Sequence, residues 1–260
     1  GGGRWKDHQN RASHYVRADA ADTLEALVRG TPRPASADWR QRWEVADEAA
    51  LAAALRAGDP PHEGHLAAAV VGACRAGDAL FVSSSMPIRD VDGYGGRRED
   101  DLLLFGNRGA SGIDGIVSTA AGVAAGTARR TVALLGDLAF LHDANGLLAV
   151  REKGVELVLV VVNNDGGGIF HMLPVRAFDP PFTELFATPH GLDLSHLARL
   201  HAIPHTRAED PAGLREAVER ALDAGGSHMI EVRTDRESNR VGHEASGTAA
   251  VAAARAALNI

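Results

Sequence analysis

The chain has 260 residues, 45% of them hydrophobic, a formal net charge of −7 and one cysteine. That length can bury a full core, while the acidic balance excludes the basic footprint of a nucleic-acid surface and a lone cysteine excludes both a disulfide framework and a cysteine-built zinc site. No apolar run approaches the roughly 20 residues of a membrane span and no signal-peptide pattern opens the chain, so a cytoplasmic protein with no membrane insertion is expected.

Residues 1–48 contain all three tryptophans, Trp5, Trp39 and Trp43. An aperiodic start is followed by an amphipathic helix ending at Gly30 and by the proline-punctuated linker "TPRPASADW". This segment reads as the remnant of a preceding domain, too short to bury its tryptophans alone. Residues 49–260 form the main domain, in which helix and strand patterns alternate. "HLAAAVVGACRAG" is a helix stopped by Gly77, with Cys74 as a small buried hydrophobe, and "DALFVSSS" is a strand opening into a polar loop. "DLLLFGN" is a strand, "GIVSTAAGVAAGTA" a helix, "TVALLGD" a strand, "LHDANGLLAVREKG" a helix, and "VELVLVVVNN" the longest β-branched run. After a proline- and aromatic-rich loop at 168–190 come helices at "LSHLARLHAI" and "PAGLREAVERALDAGG" around a short strand near "IPHTRA". "SHMIEVRTD" is the last strand and "TAAVAAARAAL" a terminal helix. Apolar strands without alternation, separated by helices, predict an α/β fold with a doubly wound, mostly parallel sheet covered by helices on both faces.

In such a sheet, ligands sit beyond the carboxyl ends of the strands. Asp137 ends one buried strand, and Asn163, Asn164 and Asp165 end another. A carboxylate and a carboxamide delivered to one point suit Mg²⁺, and the run Gly166–Gly168 lets backbone approach an anion closely. Each piece also has an ordinary reading, since Asp after a strand caps the next helix and Asn-Asn-Asp-Gly makes turns. His62 and His65, three apart near a helix start without a third ligand, read as solvated. "GASGI" lacks the spacing of a hydrolase nucleophile elbow, and "GNRGASG" is not the dinucleotide fingerprint.

Gly136-Asp137 followed 27 residues later by Asn164 resembles the thiamine diphosphate motif, with Leu138 where the motif has its second glycine. "SSSMPIRDVD" (83–92), "GNRGASGIDGIVSTAAGVA" (106–124), "GDLAFLHDANGLL" (136–148) and "VVVNNDGGGIFHMLP" (161–174) together resemble the 2-succinyl-5-enolpyruvyl-6-hydroxy-3-cyclohexene-1-carboxylate synthase family of menaquinone biosynthesis, over its C-terminal, diphosphate-binding domain. The resemblance implies a thiamine diphosphate-dependent transferase that decarboxylates 2-oxoglutarate and adds the succinyl semialdehyde carbanion to isochorismate.

It further implies that Mg²⁺ or Mn²⁺ is held by Asp137, Asn164 and the carbonyl of Gly166, with Gly136, Leu138, Ala139, Gly167 and Ile169 lining the diphosphate. Ile113 would wedge the cofactor into its bent form. Arg89 and Arg108 would bind substrate carboxylates, Ser85 would position the intermediate, and Phe170 and Leu173 would form an apolar wall. The family works as a homodimer or dimer of dimers, and its catalytic glutamate lies on an N-terminal domain across the dimer interface. No residue here takes that role, Glu152 and Glu156 being expected at the surface, so a fragment inactive on its own is implied. Two alternatives stay open: the diphosphate-binding subunit of a split thiamine diphosphate-dependent oxoacid decarboxylase, and a non-catalytic module for Mg²⁺-diphosphate or nucleotides.

Overall fold

Among the described residues six strands, the central ones aliphatic and β-branched, line up as a single parallel sheet in the order β2-β1-β3-β4-β6-β5. They are β1 (Ala79–Val82), β2 (Leu103–Phe105), β3 (Thr131–Gly136), β4 (Leu157–Asn163), β5 (His205–Ala208) and β6 (Ser227–Arg233). A computed structural model of the chain describes residues 11–30, 36–58, 60–107 and 112–260. β3 and β4 are buried nearly throughout, because both faces of the sheet are covered. On one face Leu80, Val132, Leu134, Val158, Val160 and Ile230 meet helices α3 (Glu63–Ala73) and α9 (Pro211–Ala224). On the other, Phe81, Ala133, Leu135, Leu159, Val161 and Met229 meet α5 (Ile116–Thr127), α7 (Gly146–Lys153) and α8 (Ser195–Leu200). The expected fold class is the one observed.

The chain separates into two compact units, Gly1–Glu44 and Val45–Ile260. In the first, α1 (Ala20–Gly30) ends at Gly30 as expected, but the stretch read as linker already contains the start of α2 (Ala37–Arg56). Trp39 and Trp43 pack edge to face with ring centroids 6.0 Å apart and are exposed.

Three further elements differ from the sequence reading. The polar loop after β1 is in fact helix α4 (Met86–Tyr94), opened by Pro87 in its first turn, where the fixed φ of proline suits a helix start. The helix expected over 141–154 is two, α6 (Asp137–His142) and α7. Asp143 breaks the ladder between them by accepting the backbone N–H (2.6 Å) and hydroxyl (3.0 Å) of Ser118. The terminal helix α10 (Arg236–Leu258) begins twelve residues before the stretch singled out, capped by Asp235 on the Ser238 N–H at 2.8 Å.

Register sets the ends that matter. Gly136 of β3 pairs with Val162 of β4, so Asp137 and the Asn163-Asn164 pair leave the sheet side by side. The strand order reverses direction between β1 and β3, the point at which an open α/β sheet leaves a crevice.

Candidate active site

A cavity of about 300 Å³ opens at that crevice. Its walls come from the segment after β1 (Ser84, Ser85), the start of α6 (Asp137, Leu138, Ala139) and the turn after β4 (Asn164, Gly166, Gly167). Asp137 and Asn164 therefore face one space, as the metal hypothesis requires.

The Asp137 carboxylate is buried and meets three donors. Oδ1 accepts the Leu138 N–H at 2.7 Å, and Oδ2 accepts the Gly166 N–H at 2.9 Å and faces Nε2 of His190 at 3.2 Å. Nδ1 of His190 accepts the Leu192 N–H at 3.0 Å, which leaves the ring proton on Nε2, pointing at Asp137. Burial pushes the Asp137 carboxyl above the usual carboxylate range, against the pull of these three donors.

Asn164 is the opposite case. Its Nδ2 donates to Oε1 of buried Glu63 at 2.9 Å, while its Oδ1 is buried without any hydrogen-bond partner. An orphaned carboxamide oxygen costs about 1–3 kcal/mol, a cost that a cation ligated by the oxygen would remove. Among the described residues no three His, Cys, Asp or Glu side chains gather as a metal group; the cavity offers one carboxylate and one carboxamide, hard oxygens of the kind that fit Mg²⁺ or Mn²⁺ with phosphate oxygens completing the shell, while the Gly166 carbonyl accepts the Gly168 N–H at 3.0 Å.

The turn after β4 is shaped to bring backbone close. Asp165 has φ +59°, with Oδ1 holding the N–H groups of His190 (3.0 Å) and Gly191 (2.7 Å). Gly166 follows at φ +139°, and a Cβ there would sit 2.0 Å from the Ala187 carbonyl oxygen. A Cβ on Gly168 would sit 2.5 Å from Nδ2 of Asn164. This is a cradle that side chains would fill.

Of the other expected site residues, Gly136, Leu138, Ala139, Gly167, Ile169, Ile113, Ser85 and Phe170 all line the cavity. Ser85 does so at φ +79°, a costly backbone state for a serine. Arg89 does not line it: the exposed side chain turns back to donate to the Ser85 carbonyl at 2.6 Å and borders a separate surface groove with Val91 and Leu102. Leu173, 46% exposed, also lies outside the cavity wall. Arg108 lies outside the described residues. Glu152 and Glu156 are exposed, as expected.

His62 is not solvated. It is buried, with Nδ1 capping α3 on the Gly64 N–H at 3.1 Å and Nε2 2.7 Å from the Ser246 hydroxyl. Three polar residues were missed by sequence reasoning: Glu63 and Asp90, which line the cavity, and His190. Asp90 faces Nε2 of His243 at 2.8 Å. An acid in a first helical turn is too common to single out Glu63, and His190 sits within a loop with no spacing to mark it.

Comparison with known proteins accords with this geometry. The family profile described as "Thiamine pyrophosphate enzyme, C-terminal TPP binding domain" matches residues 100–232, half of the chain. Curated relatives named 2-succinyl-5-enolpyruvyl-6-hydroxy-3-cyclohexene-1-carboxylate synthase are 43% identical over 92% of this chain in Roseiflexus castenholzii, and 46% identical over 92% in Myxococcus xanthus. The chain spans 42% and 41% of the length of those two relatives. Among solved structures, benzoylformate decarboxylase from Polynucleobacter necessarius is 19% identical with a TM-score of 0.57, over 68% of this chain and 34% of its own. A putative thiamin diphosphate-dependent enzyme from Mycobacterium smegmatis is 20% identical with a TM-score of 0.54, over 69% of this chain and 33% of its own. These two share the fold. No helix among the described residues is long and apolar enough to cross a membrane. With the profile match covering half of its length, the chain belongs to the thiamine pyrophosphate enzymes, in the family of their C-terminal TPP-binding domain.

Proposed function

We propose that this chain is the diphosphate- and metal-binding part of a thiamine diphosphate-dependent 2-succinyl-5-enolpyruvyl-6-hydroxy-3-cyclohexene-1-carboxylate synthase, acting on 2-oxoglutarate and isochorismate. The observation that carries the reading is the partnerless Oδ1 of Asn164, a residue that lines the same cavity as Asp137. The names of the relatives support the choice of reaction.

Asp137, Asn164 and the Gly166 carbonyl would hold Mg²⁺ or Mn²⁺ between the protein and the diphosphate. Leu138, Ala139, Gly167 and Ile169 line the space for that diphosphate, and Ile113 offers the apolar wedge for the cofactor rings. Thiamine diphosphate, when bound, supplies the nucleophilic carbon and the electron sink for decarboxylation and carbon–carbon bond formation. The chain's own residues place, orient and desolvate. Met86, Ile169 and Phe170 give the cavity apolar walls, Ser85 offers a hydroxyl at its edge, and Arg108 is the proposed carboxylate partner of the substrates. Arg89 would join it only by leaving the Ser85 carbonyl that it now holds. The glutamate that activates the cofactor comes from outside this chain, across a homodimer or a dimer of dimers.

Turnover of isochorismate and 2-oxoglutarate by the full-length gene product, with Mg²⁺ and thiamine diphosphate, tests the reading. Asp137→Ala should lower cation affinity more than about 100-fold, since a ligand costs at least what its supporting partners do, and should abolish turnover. Retained turnover in that variant would remove the metal assignment. Nucleoside diphosphates binding as tightly as thiamine diphosphate, with no turnover, would put a non-catalytic module in its place.

A further inference from the structure

Glu63 sits at the first position of α3, 4% exposed, at the wall of the cavity. Its Oε1 accepts from two donors, Nδ2 of Asn164 at 2.9 Å and the Thr234 hydroxyl at 2.8 Å. Its backbone N–H donates to Oδ1 of Asn239 at 2.9 Å. One residue thus ties the start of α3, through its carboxylate, to the end of β4 and to Thr234 ahead of α10, and through its backbone N–H to Asn239 within α10.

A carboxamide has nearly the same shape in either of two orientations related by a half turn, and only its hydrogen bonds choose between them. An acceptor opposite Asn164 selects the orientation in which the NH₂ end faces Glu63 and the oxygen is left for the cation. The reverse orientation would aim N–H donors at the cation and set the amide oxygen against a carboxylate. We infer that Glu63 is a positioning residue, which fixes Asn164 with its oxygen towards the cation, a role that rests on the proposed metal site.

A rival account makes Glu63 a mere source of negative charge near the cation. The two accounts order the variants differently. Glu63→Gln keeps an acceptor oxygen at the same reach and loses the charge; Glu63→Asp keeps the charge and is one methylene short; Glu63→Met keeps the length and loses every acceptor. Mn²⁺ binding to the full-length gene product with thiamine diphosphate present, followed by electron paramagnetic resonance, reads cation affinity directly. Positioning predicts Glu63→Gln within about threefold of wild type, with Glu63→Asp and Glu63→Met weaker by roughly 10–100-fold, the range for partners that orient metal ligands. Glu63→Gln falling tenfold while Glu63→Asp holds would overturn the inference, as would Glu63→Met binding like wild type. Should Glu63→Met fail to fold, the order of the Gln and Asp variants decides alone. Wild-type protein that binds no Mn²⁺ with thiamine diphosphate would sink the proposed function itself, and this inference with it.

Discussion

Cys74 and Asp137 are both buried, yet burial prepares them for different ends. The Cys74 thiol donates to the Val70 carbonyl at 3.3 Å and is pushed up to about 12, first by burial and then by the Asp78 charge. A thiol that stays protonated and covered is inert. Iodoacetamide at pH 8 should therefore label the folded protein at least about 100-fold more slowly than the urea-unfolded chain, and equal rates would show that Cys74 is open. Asp137 is lifted by the same burial, but three donors converge on it and pull it back towards the charged form. Both residues were legible in the sequence, Cys74 from its apolar neighbours and Asp137 from a spacing to Asn164. Glu63 was not, because its partners lie 101 and 171 positions away, where no local pattern reports them.

The turn after β4 is the element on which the site depends, and its glycines separate geometry from composition. Gly166 has a positive φ and would place a Cβ 2.0 Å from a backbone oxygen of Ala187, which cannot rotate away as a side chain can. Gly166→Ala should cost about 2–4 kcal/mol in urea unfolding, from strain and overlap together. Gly122, mid-helix in α5 with nothing within 4 Å of a built Cβ, is the control: Gly122→Ala should stabilise by about 0.5–1 kcal/mol. Equal effects at the two sites would mean that the turn is not held as described. The strands were the most legible elements, since buried parallel strands are written as unbroken β-branched runs such as "LVLVVV". α4 was not, because Pro87 and the serines before it read as a loop, whereas proline in a first turn opens a helix. The break between α6 and α7 was hidden for a different reason: it is made by Asp143 reaching Ser118 on α5, a tertiary contact that interrupts a helical pattern.

Across the main unit, α3, α4 and α10 meet around His62, and this junction sets a dependence of stability on acidity. The His62 ring lies 4.3 Å from His65, 5.1 Å from Tyr94 and 4.2 Å from His243, between ring centroids. Its Nδ1 is occupied as an acceptor from the Gly64 N–H, so protonation would break the α3 cap and place a charge in the junction. Burial, followed by the charges of His243 and His65, lowers the imidazole to about 3. A histidine whose folded pKa lies below its unfolded value of about 6.5 contributes stability above pH 6.5 and loses it as pH falls towards the folded value. His243 pulls the other way. Burial would lower it, but the hydrogen bond to Asp90 and that carboxylate's charge outweigh burial and raise it, so its contribution is present in acid and lost as pH rises. Asp90 and Glu63, both raised chiefly by burial, also favour the folded state in acid. The whole-protein acid limb is therefore a difference of opposing effects, and only a comparison isolates His62. His62→Asn removes the titration and keeps a side chain able to cap α3. Between pH 7 and pH 5, wild type should lose about 2 kcal/mol more unfolding free energy than His62→Asn, measured from urea midpoints at the two pH values. Equal losses would mean that the imidazole accepts a proton inside the folded junction without penalty, against the packing seen around it.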